Sequence, residues 1–410
     1  METGRLRSWW NYSCYVFIHD KFMMLATIVD LALLAWAIWT LKADLSNAQS
    51  WIIFAIIVIN FIWQICNAFG HFFTTFRSVN FKSKKIVEKG GSFKLKADVI
   101  NTYIYIEEPE LKSLCIVPKN LDDFLSNDIW AITEDSNAKP RNVETLVHDM
   151  WPINFIFLNE KIHSGENFFN EDKLCMTSEM FKDKKNTWNV RVCKGNYYNH
   201  YLSNAIFNYC LDDKNNGMKI WPPINAMTYE IPKLEDSMLS NHIGVSSLLI
   251  SSDGRTVLLV QNAKAAHNKN KIVPTCSGSV DYADRPGHDN LRDVIIAAAE
   301  RELLEETTLD VNKLPADIKV ETKIIGFYRD LSRGGKPEFC CVTEVDEVRE
   351  ALVINPQTKE QQKEVYASPK IEMLVAKGVA INDDNKENVS LSLKANIYFL
   401  KKYLEKQKLQ

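Results

Sequence analysis

The stretch from Gly287 to Leu309, GHDNLRDVIIAAAERELLEETTL, constrains this chain more than any other. Its alanine-rich apolar pattern predicts a helix, and near its end Arg301 is followed by Glu302, Glu305 and Glu306. Helix positions three and four apart share a face. The three carboxylates therefore crowd together and repel, at roughly 0.2–0.5 kcal/mol per badly placed pair. Arg301 offsets part of this by pairing with Glu305 at i+4. A bound divalent cation would offset more, because hard cations take clustered carboxylate oxygens. The competing reading is a solvated acidic helix face.

The stretch resembles the Nudix box, G-x5-E-x7-R-E-U-x-E-E-x-G-U with U aliphatic. Gly287 matches the first glycine, and Arg301, Glu302, Leu303, Glu305, Glu306 and Leu309 match the tail in register. Asp293 stands where the family has glutamate, and Thr308 where it has the glycine that turns out of the helix. The resemblance implies that Glu302, Glu305 and Glu306 hold Mg²⁺ or Mn²⁺ and that Glu305, Glu306 and Arg301 carry catalysis. Arg301 would pair with the first acidic residue, here Asp293. A further base often comes from a later loop, for which Glu338, Glu360 and Glu364 are candidates.

At 410 residues the chain has room for two or three modules. Its net charge of −3 gives no pull toward a stable nucleic-acid duplex. The nine cysteines form no C-x-x-C pair and no zinc spacing, which predicts reduced thiols; adjacent Cys340 and Cys341 read as packing residues in a strand.

Two apolar runs, Phe22 to Leu41 and Trp51 to Phe69, are each long enough to span about 30 Å as a helix. They predict a transmembrane hairpin over residues 1–75. Arg5, Arg7 and Lys21 precede it and Arg77, Lys82, Lys84, Lys85 and Lys89 follow it, so the positive-inside rule places both termini in the cytoplasm of a multi-pass inner-membrane protein. Asp30 lies in the first run, and Asn60, Gln64 and Asn67 form a stripe on the second. Such polar groups face other helices or water. They either join the two helices of one chain or serve contacts between subunits, including a pore lining.

The remaining boundaries are a juxtamembrane linker over 76–149, an α+β extension over 150–235, and a Nudix-like domain over 236–410. In the linker, Val99 to Ile106 alternates like a strand, and 122–139 reads as loop-rich. In the extension, Trp188 to Cys193 alternates like a strand and leads to Tyr197 and Tyr198, which either stack on a nucleotide base or pack internally. In the domain, Gly244 to Ile250 and Thr256 to Gln261 flank Asp253-Gly254, a hairpin signal. Ile318 to Phe327 and Phe339 to Val345 predict two more strands. The loop between them holds Gly334 and Gly335 flanked by Arg333 and Lys336, which suits a phosphate through backbone N–H groups and charge. Leu391 to Leu404 predicts an amphipathic helix docked on the sheet. This order matches the α/β/α sandwich with a mixed sheet that the Nudix resemblance implies.

Two spans before a Nudix-like domain resemble the SMODS-associated NUDIX family, the membrane effectors of CBASS antiphage systems. That resemblance implies a cyclic oligonucleotide made by a partner CD-NTase, a lipid bilayer and self-association as partners, and membrane disruption with abortive infection as the outcome. The alternative is a membrane-anchored, Mg²⁺-dependent Nudix hydrolase that cleaves a nucleoside diphosphate derivative.

Overall fold

The computed structural model describes residues 84–88, 93–135, 156–158, 160–161, 170–213, 218–220, 230–251, 255–261, 268, 270–307, 319–345, 370–377 and 388–409, with short helical stretches between 10 and 66. Its centre is a mixed sheet. In chain order, the elements that position the site are α1 (Ala97–Thr102), β1 (Tyr103–Tyr105), β2 (Cys115–Pro118), α2 (Leu121–Leu125), β3 (Trp130–Glu134), β4 (Asp172–Met176), β5 (Trp188–Asn196) and α3 (Tyr197–His200). They continue with β6 (Gly244–Ser251), β7 (Arg255–Gln261), β8 (Ile272–Val273), β9 (Cys276–Ser279), α4 (Leu291–Thr307), β10 (Val320–Asp330), β11 (Lys336–Val345), β12 (Lys370–Lys377) and α5 (Leu391–Leu409).

The main sheet runs β8-β7-β6-β11-β10-β2-β1, with β9 added on β6 and β12 on β7. The β6–β11 pair is parallel, with Gly244 opposite Glu338; its neighbours are antiparallel. β6 and β7 form the expected hairpin, pairing Leu249 with Val257 and Ile250 with Thr256. Alternation along β6 sends Val245 and Leu249 to one face and Gly244, Ser246 and Leu248 to the other. On the first face, Val294, Ile295, Ala298 and Ala299 of α4 pack with Val245, Phe339 and Cys341. On the other, Leu393, Ile397, Phe399 and Leu400 of α5 pack with Leu248, Cys340 and Val342. Helices on both faces make the α/β/α sandwich.

A smaller sheet, β3-β5-β4, docks onto this core. Backbone bonds from Leu174 N–H to the Val280 carbonyl (3.0 Å) and from Ile243 N–H to the Leu174 carbonyl (2.9 Å) continue the ladder between them. A π-helical turn, Tyr201–Ala205, follows α3. Asn204 there donates to Asn241 (3.0 Å) and to the Arg333 carbonyl (2.9 Å), so it ties the entry of β6 to the turn before β11.

The expectation of two membrane-spanning helices is overturned. Among the described residues no helix is long and apolar enough to cross a membrane. The transmembrane hairpin and the multi-pass inner-membrane placement fall with that expectation. The described helical residues between 10 and 66 include the stretch 54–63. Of the polar stripe, Asn60 is exposed on that stretch; Asp30, Gln64 and Asn67 lie outside the described residues.

Two local expectations also change. Val99 to Ile106 is not one strand but α1 followed by β1. Val99 and Tyr103 are both buried, and a spacing of four satisfies the helical period as well as the strand period. The loop-rich 122–139 stretch holds most of α2 and all of β3.

Candidate functional site

The buried face of α4 runs Leu291, Val294, Ile295, Ala298, Ala299, Glu302, Leu303 and Glu306. The stripe that is apolar for its first turns thus carries two carboxylates near its end, 8% and 5% exposed, before the buried Thr307. A solvated acidic face is therefore excluded for this pair. Burying carboxylates is costly unless they are paired or hydrogen-bonded, and the surrounding backbone is built to meet them. Glu306 accepts from the Ser277 N–H at 2.9 Å. Glu302 lies directly against Gly278, where any Cβ would collide with its carboxylate. Glu305 is outside this pocket, with a side chain 55% exposed.

Arg301 organises the group. Its Nε and Nη2 donate to the two oxygens of Asp284 at 2.8 and 2.9 Å. Nη2 also donates to the Ser279 carbonyl at 2.9 Å, and Nη1 reaches Glu302 at 3.0 Å and Glu305 at 3.2 Å. Asp284 ends a 3₁₀ turn, Tyr282–Asp284, capped by Asp281. The expected partner, Asp293, is exposed in the first turn of α4. Its shorter side chain is replaced in the role by Asp284, which the turn places under the guanidinium. Thr308 and Leu309 lie outside the described residues.

Burial, followed by the charges of Glu306 and Glu305, pushes the Glu302 carboxyl up to about 7 against the pull of Arg301. Arg301 itself is held charged: burial works against it, and Asp284 and Glu302 outweigh burial. Among the described residues no group of three or more His, Cys, Asp or Glu side chains is gathered tightly enough to hold a metal ion as arranged. Arg301 stands between Glu302 and Glu305. The donor chemistry nevertheless suits a hard cation: three carboxylates on adjacent turns, with negative charge that Arg301 alone does not relieve.

The second group of expected residues lies on the opposite face of the sheet. Gly334 and Gly335 adopt positive φ, +66° and +80°. Their N–H groups bond within the turn, to the carbonyls of Leu331 (3.1 Å) and Asp330 (2.8 Å). The glycine loop is thus a tight turn whose amides are engaged, not a phosphate cradle. Lys336 is not on the loop surface but begins β11, 2% exposed, with its ammonium 2.5 Å from Glu338. Arg333 sits at the edge, 24% exposed, 3.6 Å from Asp330 and 3.7 Å from Glu338. Tyr198 is fully buried against Tyr15, which rules it out as a stacking surface. Tyr197 is half-buried and lies parallel to His242, ring centroids 6.0 Å apart. Glu338 pairs with Lys336 away from α4; Glu360 and Glu364 lie outside the described residues.

Sequence reasoning did not single out Asp284, Ser277, His200 or His242. The aspartates of Asp281-Tyr-Ala-Asp284, close before the box, were the available signal. The histidines stack at 3.4 Å between centroids, and nothing in their local sequence marks that meeting.

No protein-family model matches the chain, and no curated protein matches it. Three solved structures match parts of the chain. A NUDIX hydrolase from Nitrosomonas europaea is 15% identical over 39% of this chain and 87% of that one, with a TM-score of 0.25. The Nudix hydrolase RenU from M. smegmatis is 14% identical over 47% of this chain and 92% of its own, at 0.23. DR0079 from Deinococcus radiodurans is 14% identical over 26% of this chain, which spans 57% of that structure, at 0.20. Scores this low carry no argument. The chain itself shows a mixed sheet between two helices, with Arg301 holding Glu302 under β9, an arrangement that agrees with the Nudix resemblance of its box residues.

Proposed function

We propose that the end of α4 forms the catalytic centre of a Nudix-type hydrolase acting on a nucleoside diphosphate derivative. The observation that carries this reading is the buried Glu302, fixed by Arg301, beside a buried Glu306 fixed by the Ser277 N–H. A fold that only needed a helix here gains nothing from two carboxylates in its core. Glu302, Glu305 and Glu306 would hold Mg²⁺ or Mn²⁺. Such an ion, when bound, neutralises diphosphate oxygens and activates a water. The chain supplies the rest. Arg301 and Asp284 orient Glu302, the Ser277 N–H orients Glu306, and the exposed Glu305 would complete the set of residues that hold the ion.

The test is turnover of ADP-ribose and related compounds by the full chain, with Mg²⁺ and with EDTA. Mg²⁺-dependent cleavage that disappears in Glu302→Gln and Glu306→Gln supports the reading; cleavage surviving both changes removes it.

A second reading is a nucleotide sensor, as in the CBASS resemblance, that binds a cyclic oligonucleotide without cutting it. It is favoured by one observation: Arg301 sits between Glu302 and Glu305, and the glutamates are not gathered for a metal. It predicts that cyclic di- or trinucleotides bind and are recovered intact. Cleavage of the bound ligand would exclude it.

A further inference from the structure

Behind Tyr197, on the sheet face away from α4, a buried polar group has more hydrogen-bond donors than the protein uses. Arg333 carries five N–H donors. Among the described residues its guanidinium makes no hydrogen bond, only the two long ion pairs to Asp330 and Glu338. Lys336 carries three donors on its ammonium, and Glu338 Oε1 is the single acceptor it reaches among the described residues. His242 is 2% exposed, and its Nδ1 has no hydrogen-bond partner among the described residues. Its other nitrogen, Nε2, lies 3.3 Å from the Ser279 hydroxyl. The adjoining Lys173 pairs with both Glu171 and Asp281.

Formal charge does not settle what fits here, because Glu338 and Asp330 balance Arg333 and Lys336. Donor supply does. Ser332 N–H and hydroxyl satisfy one oxygen of Asp330, at 2.9 and 2.6 Å. Glu338 takes a single bond from Lys336. That leaves five guanidinium donors and two ammonium donors beside Glu338, and donors in a desolvated site are costly to leave unmet. Gly244 forms the floor, where a Cβ would strike Lys336 and Glu338. Half-buried Tyr197 and the 24% exposed Arg333 are the members of the group that solvent reaches.

We propose that Arg333, Lys336 and His242 form a subsite for a phosphate group of the nucleotide ligand, with Tyr197 at its entrance. Acceptor oxygens that match the planar fork of a guanidinium are what phosphate offers. Burial, with His200, Lys336, Lys173 and Arg333 close by, holds His242 neutral, so one ring nitrogen carries a proton to donate. Ser279 links this group to the box: its hydroxyl faces His242 while its carbonyl accepts from Arg301. The proposal rests on the reading of the protein as a nucleotide binder, whether the nucleotide is cleaved or only sensed.

The experiment is calorimetric titration of the full chain with pyrophosphate and with ADP, in EDTA so that no metal-dependent hydrolysis intervenes. Wild type is expected to bind both. Arg333→Gln is expected to weaken both about tenfold or more, the loss of one charge-assisted contact, and Arg333→Lys to recover part of it. Arg333 lies at the edge, so its replacement leaves the core intact; Lys336→Met is measured alongside. Absence of binding by wild type, or equal binding by wild type and Arg333→Gln, overturns the subsite. Mg²⁺-dependent turnover with an unchanged KM in Arg333→Gln would leave the hydrolase reading standing and remove the subsite. Arg333-dependent binding without any turnover would do the reverse.

Discussion

Arg301 grips Asp284 through two parallel hydrogen bonds, although the two are 17 residues apart and Asp293 occupies the family's acidic position. The clamp fixes the guanidinium so that its remaining donor reaches Glu302 and Glu305. Partners that orient a metal ligand typically affect affinity 10–100-fold. Asp284→Asn is therefore expected to weaken Mn²⁺ binding by about that factor, while Asp293→Asn leaves it unchanged. Mn²⁺ titration followed by electron paramagnetic resonance distinguishes the two. Equal effects would return the role to Asp293.

Gly278 has no room for a side chain, because Glu302 fills the space a Cβ would occupy. Gly278→Ala should cost about 1–3 kcal/mol, the usual range for overpacking, and should expel Glu302 from its pocket. Gly287 is the control. Its φ is +85° and a Cβ there meets nothing within 4 Å, so Gly287→Ala costs only backbone strain, about 1 kcal/mol. Urea melts of both variants give the comparison, and a Gly278→Ala protein as stable as wild type would contradict the packing.

The pH dependence of the metal-free protein follows from Glu302. Its folded carboxyl is pushed up to about 7, from 4.5, first by burial and then by Glu306 and Glu305. A raised carboxyl favours the protonated folded state. Its contribution to stability is fully present below pH 4.5 and is lost as pH rises through 7. Stability measured by urea at pH 5, 6, 7 and 8 should fall over this window for wild type, by up to about 3 kcal/mol. In Glu302→Gln the slope should be shallower. Saturating Mg²⁺ should restore stability at the upper end, since the ion binds the ionised form. A wild-type slope identical to that of Glu302→Gln refutes the assignment.

Arg329 is fully buried, with Glu179 at 3.0 Å and the carbonyls of Gly335 and Pro232 at 2.8 and 2.9 Å. It joins β10 to β4's following turn and to the segment before β6. Removing one member of a buried pair leaves an uncompensated charge, at about 3–5 kcal/mol. Glu179→Gln should lower stability by that order without changing KM for any substrate found; a changed KM with unchanged stability would place Arg329 in the site instead.

Much of the core was readable before the structure. The box helix, the β6–β7 hairpin and α5 carry strong local periodicity, and local periodicity survives tertiary packing. The Asp284 clamp was not readable, because a 3₁₀ turn folds an aspartate under Arg301 from outside the helical pattern. Lys336 read as a loop residue because Gly334 and Gly335 precede it, yet β11 starts at Lys336 and carries it inward to Glu338. The apolar runs near the N-terminus have the length and hydropathy of spans, yet among the described residues no helix is long and apolar enough to cross a membrane.

The measurement that bears most directly on the central claim is product analysis of the full chain incubated with ADP-ribose and Mg²⁺, beside Glu302→Gln and Glu306→Gln. Nudix-type catalysis at the end of α4 predicts AMP and ribose 5-phosphate from wild type, dependence on the metal, and loss of at least a hundredfold in kcat in each variant. Equal product formation by wild type and both variants would contradict it.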